Sequence, residues 1–142
     1  MNPSEFIWMD GKLVKWEDAK VHVLTHSLHY ANAVFEGTRA YMTDNKGLAI
    51  FRLSDHTARL LKSAKMTILN VKYTQKELED AQVELLRANN FKSNVYLRPI
   101  VYLGYGVMGL AHTKAPVNTA IAAWEWGAYL GEEGLKKGIR VT

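Results

Sequence analysis

The chain contains no cysteine. Disulfides and thiolate chemistry are therefore excluded, and the composition suits a cytoplasmic protein. No apolar run approaches the length that spans a bilayer, so no membrane partner is expected. The opening stretch MNPSEFIWMDGKLV lacks a basic start, a long apolar segment and a small-residue cleavage site, so no signal peptide is expected. There is no internal repeat and no low-complexity segment. A G-x-S-x-G elbow and a P-loop are both missing. A basic tail is missing too. The net charge is +4, but Lys and Arg are scattered from Lys12 to Arg140, with one adjacent pair at Lys136-Lys137. That distribution describes a solvated surface and argues against nucleic acid, while leaving small anions open.

What is present is 142 residues, 48% apolar and 23% charged, enough for one globular domain with a core. Asp10-Gly11 between two short apolar runs predicts a hairpin. AKVHVLTH alternates and continues the strand character. AVFEGTRAYM and LAIFRL read as further strands joined by TDNKG, which is turn chemistry. The period then changes. Ser54 is a candidate cap for a helix with inner face Thr57, Leu61, Ala64 and Ile68. Thr74 and Glu77 form a capping box before a stripe of Leu78, Ala81 and Leu85. NVYLRPIVYLGYG returns to strand, with Pro99 placing it at an edge or next to a bulge. NTAIAAWEW is the last clear strand. Strands, two helices, then strands predict an α+β domain, with two helices packed on one side of a mainly antiparallel sheet.

GYGVMG at 104–109 spells G-x-G-x-x-G. A dinucleotide site needs a helix directly after the glycines, because the helix N-terminus binds the pyrophosphate. LAHTKAPVNT offers no helical period, so the segment reads as a mobile glycine loop with Met108 and Leu110 as apolar tips. His22, His26 and His29 invite a metal reading, but the strand-like alternation around them breaks the i, i+4 geometry, and no metal is expected.

Period two puts Phe35, Gly37, Arg39 and Tyr41 on one strand face, and Tyr96 with Arg98 on another. If those faces meet, two guanidinium forks and aromatic walls frame a pocket suited to carboxylates. Exposed arginines paired with surface acids are the other reading. Trp124 or Trp126, and Tyr129, are candidate core plugs or pocket walls. Arg59 and Lys62 lie away from the Leu61 face, and spacing alone does not single them out.

HSLHYANAVFEGTRAY, FRLSDHTARLLKSAK, VYLRPI, GYGVMGL and WEWGAYLG together resemble the bacterial branched-chain amino acid aminotransferases, which are fold-type IV pyridoxal-phosphate enzymes. The resemblance covers nearly the whole chain in order and spacing. It implies a small N-terminal domain over 1–125, an interdomain linker over 126–137, and the first residues of a large domain over 138–142. It implies pyridoxal 5'-phosphate as cofactor, with Arg59 on its phosphate. It implies a substrate pocket of Phe35, Gly37, Arg39, Tyr96, Arg98, Trp126 and Tyr129, with Arg98 on the second carboxylate of glutamate. Tyr30, Met108 and Leu110 would reach a neighbouring subunit's site, in a homodimer or a larger homo-oligomer. The implied reaction is ping-pong exchange of an amino group between leucine, isoleucine or valine and 2-oxoglutarate. No lysine here matches the family's Schiff-base lysine, which is expected beyond Thr142, so this chain alone is expected to hold no catalytic residue, to lack the cofactor and to be inactive. The chain departs from the pattern at Ala31, where glycine is common, and at Glu125, where proline is usual. Two alternatives stay open. One is a sibling of the same fold, such as a D-amino acid transaminase or an aminodeoxychorismate lyase. The other is a non-catalytic anion-binding module using Arg59, Lys62 and Lys65.

Overall fold

The computed structural model describes residues 3–44, 47–110, 114–126, 134, 137 and 138. Strand β1 (Phe6–Met9) turns at Asp10-Gly11 into β2 (Lys12–Lys15). Both turn residues adopt positive φ, 46° and 96°, the conformation that makes Asp-Gly a hairpin turn. A 3-10 turn (Trp16–Asp18) follows, then the short helix α1 (His26–Tyr30). Next come β3 (Ala33–Phe35), β4 (Thr38–Met42) and β5 (Leu48–Ile50). Helices α2 (Leu53–Met66) and α3 (Gln75–Asn89) lead into the long strands β6 (Val95–Leu103) and β7 (Val117–Glu125).

All pairings are antiparallel, in the order β2-β1-β7-β6-β4-β5, with β3 also on β6. One face of this sheet meets α2 and α3, as the α+β expectation has it. Leu60 and Ala64 of α2 and Leu78 and Leu85 of α3 pack there on Ala40, Leu97, Val101 and Ile121, all essentially fully buried. Gln82 is buried between the helices, and its Nε2 donates to Thr57 Oγ1 at 3.1 Å and to the Leu78 carbonyl at 3.1 Å. Asn89 ties the end of α3 to β1, accepting from the Phe6 amide at 2.8 Å and donating to the Phe6 carbonyl at 3.1 Å.

The capping box at Thr74 and Glu77 is present, and Leu78, Ala81 and Leu85 are buried. Four local readings need correction. Residues 19–25 form no strand, because the turn closes on itself: the Thr25 amide donates to the His22 carbonyl at 2.8 Å. Helix α2 starts at Leu53 behind Arg52, which holds φ of 50°, and not behind a Ser54 cap. Its buried stripe runs through Leu60 rather than Leu61, and Ile68 is 68% exposed beyond the helix end.

The fourth concerns Pro99 and the single strand read over AVFEGTRAYM. Strand β6 is interior, flanked by β7 on one side and by β3 and β4 on the other. The interruption falls on its neighbour instead. Phe35 pairs with Ile100 and Thr38 with Leu97, so Glu36 lies opposite Pro99 where β3 ends and β4 has not begun. The Glu36 amide donates to the Pro99 carbonyl at 2.9 Å. Pro99 has no N–H to return, so the ladder opens at that pair.

Candidate functional site

The sheet face away from α2 and α3 carries the pocket residues. On β4, Thr38 and Ala40 point into the core, which turns Arg39 and Tyr41 outward. On β6, Val95 and Leu97 point inward, which turns Tyr96 and Arg98 outward. Arg39 and Tyr96 are direct cross-strand partners, so the two outward sets share one surface. Phe35 joins them from β3. The Arg98 guanidinium stacks 4.4 Å from the Phe35 ring and its Nη2 donates to Tyr96 Oη at 2.9 Å. Arg39 donates from Nη2 to the Trp126 carbonyl at 3.0 Å and lies 5.6 Å from the Tyr41 ring. The Tyr96 ring packs edge-on to Trp126 at 5.0 Å and tilted on Trp124 at 5.1 Å.

Gly37 makes this packing possible. A Cβ there would stand 2.1 Å from Tyr96 Oη. The gap read between Phe35 and Arg39 is thus the seat of the Tyr96 hydroxyl. Arg98 Nε is buried with no hydrogen-bond partner among the described residues. A buried charged donor without a partner is costly, and an anionic ligand is the group that would complete it. Phe35, Gly37, Arg39, Tyr96, Arg98 and Trp126 are brought together; Tyr129 and most of the stretch read as linker lie outside the described residues. The six supply two guanidinium groups, aromatic rings and one phenolic hydroxyl, a set suited to binding and orienting an anion.

Arg59 sits apart, on α2. Its side chain is 64% exposed, while its partner Glu36 is 6% exposed. The guanidinium donates from Nε to Glu36 Oε1 and from Nη2 to Oε2 at 2.8 Å. His56 donates from Nδ1 to the same Oε2 at 2.9 Å, and a carboxylate acceptor fixes that tautomer. The hydrogen bond from Arg59 holds Glu36 below the ordinary carboxylate range; burial opposes this and His56 adds to it. Glu36 takes one edge of the guanidinium. Nη1 makes no hydrogen bond among the described residues, and a side chain 64% exposed leaves it accessible to an anion such as a phosphate. Lys62 and Lys65 are exposed on the same helix. Sequence reading missed Glu36 and His56. The usable signal was parity: Glu36 occupies a core-facing position, where a carboxylate demands partners.

The glycine loop joins β6 to β7 without a helix of dinucleotide-binding length, since β7 already begins at Val117. Helix α1 clips it at Gly109, whose amide donates to Tyr30 Oη at 3.1 Å and whose carbonyl accepts from His26 Nε2 at 2.8 Å. Tyr30, Met108 and Leu110 are 39%, 45% and 86% exposed, forming one outward apolar rim. No group of three metal-ligating side chains occurs among the described residues, and no helix there is long and apolar enough to cross a membrane.

Residues 33–141 match the family model for amino-transferase class IV. A branched-chain-amino-acid aminotransferase of Pseudomonas aeruginosa is 50% identical over 135 residues, 95% of this chain and 43% of that protein. The crystal structure of the Escherichia coli branched-chain amino acid aminotransferase superposes with a TM-score of 0.87 at 41% identity, covering 95% of this chain and 44% of that one. A further branched-chain amino acid aminotransferase, from T.th. and complexed with N-(5'-phosphopyridoxyl)-L-glutamate, superposes with a TM-score of 0.83 at 44% identity, covering 89% of this chain and 42% of that one. The chain therefore spans somewhat under half the length of these relatives.

Proposed function

The chain belongs to the class IV aminotransferase family, and from that premise we propose that it is the small N-terminal domain of a pyridoxal-phosphate-dependent aminotransferase acting on leucine, isoleucine or valine and on 2-oxoglutarate. Relatives bearing the branched-chain aminotransferase name at 43–50% identity support the substrate class, and the phosphopyridoxyl-glutamate bound to one relative supports both the cofactor and the glutamate partner. The domain occupies 1–125 and passes through a linker at 126–137 into a larger domain. The assembly is a cytoplasmic homodimer or larger homo-oligomer, in which the rim of Tyr30, Met108 and Leu110 serves a neighbouring copy's site.

The observation that carries this reading is the outward sheet face: two guanidinium groups, one with a buried Nε that has no partner among the described residues, among Phe35, Tyr96 and Trp126. A branched side chain needs an apolar wall, and glutamate needs a cation for its second carboxylate. Arg98 supplies the cation, steadied by Phe35 and Tyr96. Arg39, fixed to the Trp126 carbonyl, orders the opposite wall. The Tyr96 ring, seated over Gly37, closes the pocket floor. Tyr129 falls in the same stretch as Trp126 and is assigned to that wall. Arg59 holds the cofactor phosphate through its outward edge. The bound cofactor supplies the aldehyde that accepts the amino group and the ring that draws electrons from the reacting carbon.

The test is a steady-state assay of the full-length protein. L-Leucine with 2-oxoglutarate should turn over and D-alanine should not. Arg98→Ala should raise KM for 2-oxoglutarate by roughly tenfold to a hundredfold, as expected when one charge-assisted bond is lost, and should change the leucine KM far less. Turnover of D-alanine without L-leucine would assign a sibling activity, and an equal effect on both KM values would remove Arg98 from the carboxylate role.

A further inference from the structure

Glu36 is a carboxylate in an unusual place. Its backbone lies in the one opening of the β6 ladder, opposite Pro99, and its side chain leaves the sheet on the helix side and is almost wholly buried. It carries two cationic or hydrogen-bonding neighbours from α2, one turn apart, and both meet it through the same oxygen, Oε2. Arg59 uses both Nε and Nη2 on it, the two-point contact that fixes a guanidinium in plane and rotation. Otherwise Arg59 is a four-rotor side chain, mostly in solvent.

We propose that Glu36 is a positioning residue: it presses one edge of the Arg59 guanidinium against the sheet so that the Nη1 edge is preset toward the phosphate of the cofactor. His56 completes the clamp at Oε2, the oxygen it shares with Arg59 Nη2. This rests on the role given to Arg59 under Proposed function. Glu36 also cancels the charge of Arg59, which by itself would weaken attraction for a phosphate. Positioning and charge cancellation therefore predict opposite outcomes when the carboxylate is removed.

The experiment measures binding of pyridoxal 5'-phosphate and of pyridoxal, which lacks the phosphate, to the full-length apoprotein by absorbance titration. Glu36→Gln should weaken the phosphorylated ligand by roughly tenfold, the scale on which a group behind a ligand-binding residue acts, and leave pyridoxal unchanged. With Arg59→Ala already in place, Glu36→Gln should add nothing. If Glu36→Gln does not fold, Glu36→Asp carries the test, since it keeps the buried charge but draws it back by one methylene; it should show a smaller loss confined to the phosphorylated ligand. Tighter binding in Glu36→Gln would mean that charge cancellation dominates and would overturn the proposal. So would equal losses for both ligands, which mark a merely structural role, or wild-type discrimination in either variant. If Arg59→Ala itself keeps full preference for the phosphorylated ligand, the role of Arg59 falls, and the proposal with it.

Discussion

At the scale of single residues, two positions of opposite character show how backbone and space are matched to side chains. Gly37 has ordinary φ, so its need for glycine is purely spatial: a Cβ would meet Tyr96 Oη at 2.1 Å and Cζ at 2.9 Å. The ring cannot step aside freely, because Arg98 holds its hydroxyl and Trp124 and Trp126 pack against the ring. Gly37→Ala should therefore destabilise the protein by about 1–3 kcal/mol, as overpacking does, visible as a lower urea midpoint. An unchanged midpoint would mean that Tyr96 swings out at no cost. Ala31 is the converse. It caps α1 with φ of 56°, where a side chain is a burden. Relief of a left-handed alanine is worth about 1–2 kcal/mol, while glycine's extra freedom in the unfolded chain takes back roughly 0.4–1. Ala31→Gly should thus raise stability by somewhat under ~1 kcal/mol by the difference of those two figures. A loss of stability would show that α1 does not end in the left-handed conformation.

At the scale of elements, legibility in the sequence followed the range of the interactions. The Asp10-Gly11 hairpin and the Thr74/Glu77 cap are local, closed within four residues, and both were readable. Strand parity also gave the outward direction of Arg39 along β4 and of Tyr96 and Arg98 along β6, but that the two faces meet depends on the Arg39–Tyr96 pairing, which the sequence left open. Pro99 was readable as a break in a ladder but not as to whose ladder breaks. The missing N–H faces Glu36, 63 positions earlier, and only the register reveals that the gap falls between β3 and β4. The Val21-His22-Val23 alternation failed for the same reason in reverse: the pattern suits a strand, yet residues 19–25 have no partner strand and close on themselves. Arg59 shows the limit for function. Its helix spacing marks only a solvated residue, and what distinguishes it is a buried carboxylate 23 positions away, brought across by α2 packing on β3.

At the scale of the whole molecule, these contacts set how stability depends on pH. Among the described residues, three carboxylates are held below their ordinary range: Glu36 by the hydrogen bond from Arg59, Asp55 by that from Arg52, and Glu77 by the Thr74 amide. Asp55 and Glu77 are exposed, so solvent screens their pairings and they count for little. Glu36 is buried and dominates. At the other limit, burial raises the Tyr73 and Tyr102 hydroxyls above their ordinary value of 10.0. The carboxylate contribution is complete above the unfolded value near 4.5 and is lost as pH falls through the lower folded value of Glu36. The tyrosine contribution is complete below pH 10 and is lost as pH rises through the raised folded values. These carboxylates and tyrosines should therefore lower stability on the acid and the alkaline side of that range. Acid also adds positive charge to a chain already at +4, and that repulsion lowers stability in any variant. Comparing wild type with Glu36→Gln separates the two effects. Both proteins gain the same background charge, but the variant has no Glu36 proton to take up. Urea unfolding between pH 6 and pH 3 should show a shallower acid loss in Glu36→Gln, with the two curves converging at the acid end. Parallel curves would place the acid sensitivity in the diffuse surface charge rather than in the Glu36 clamp.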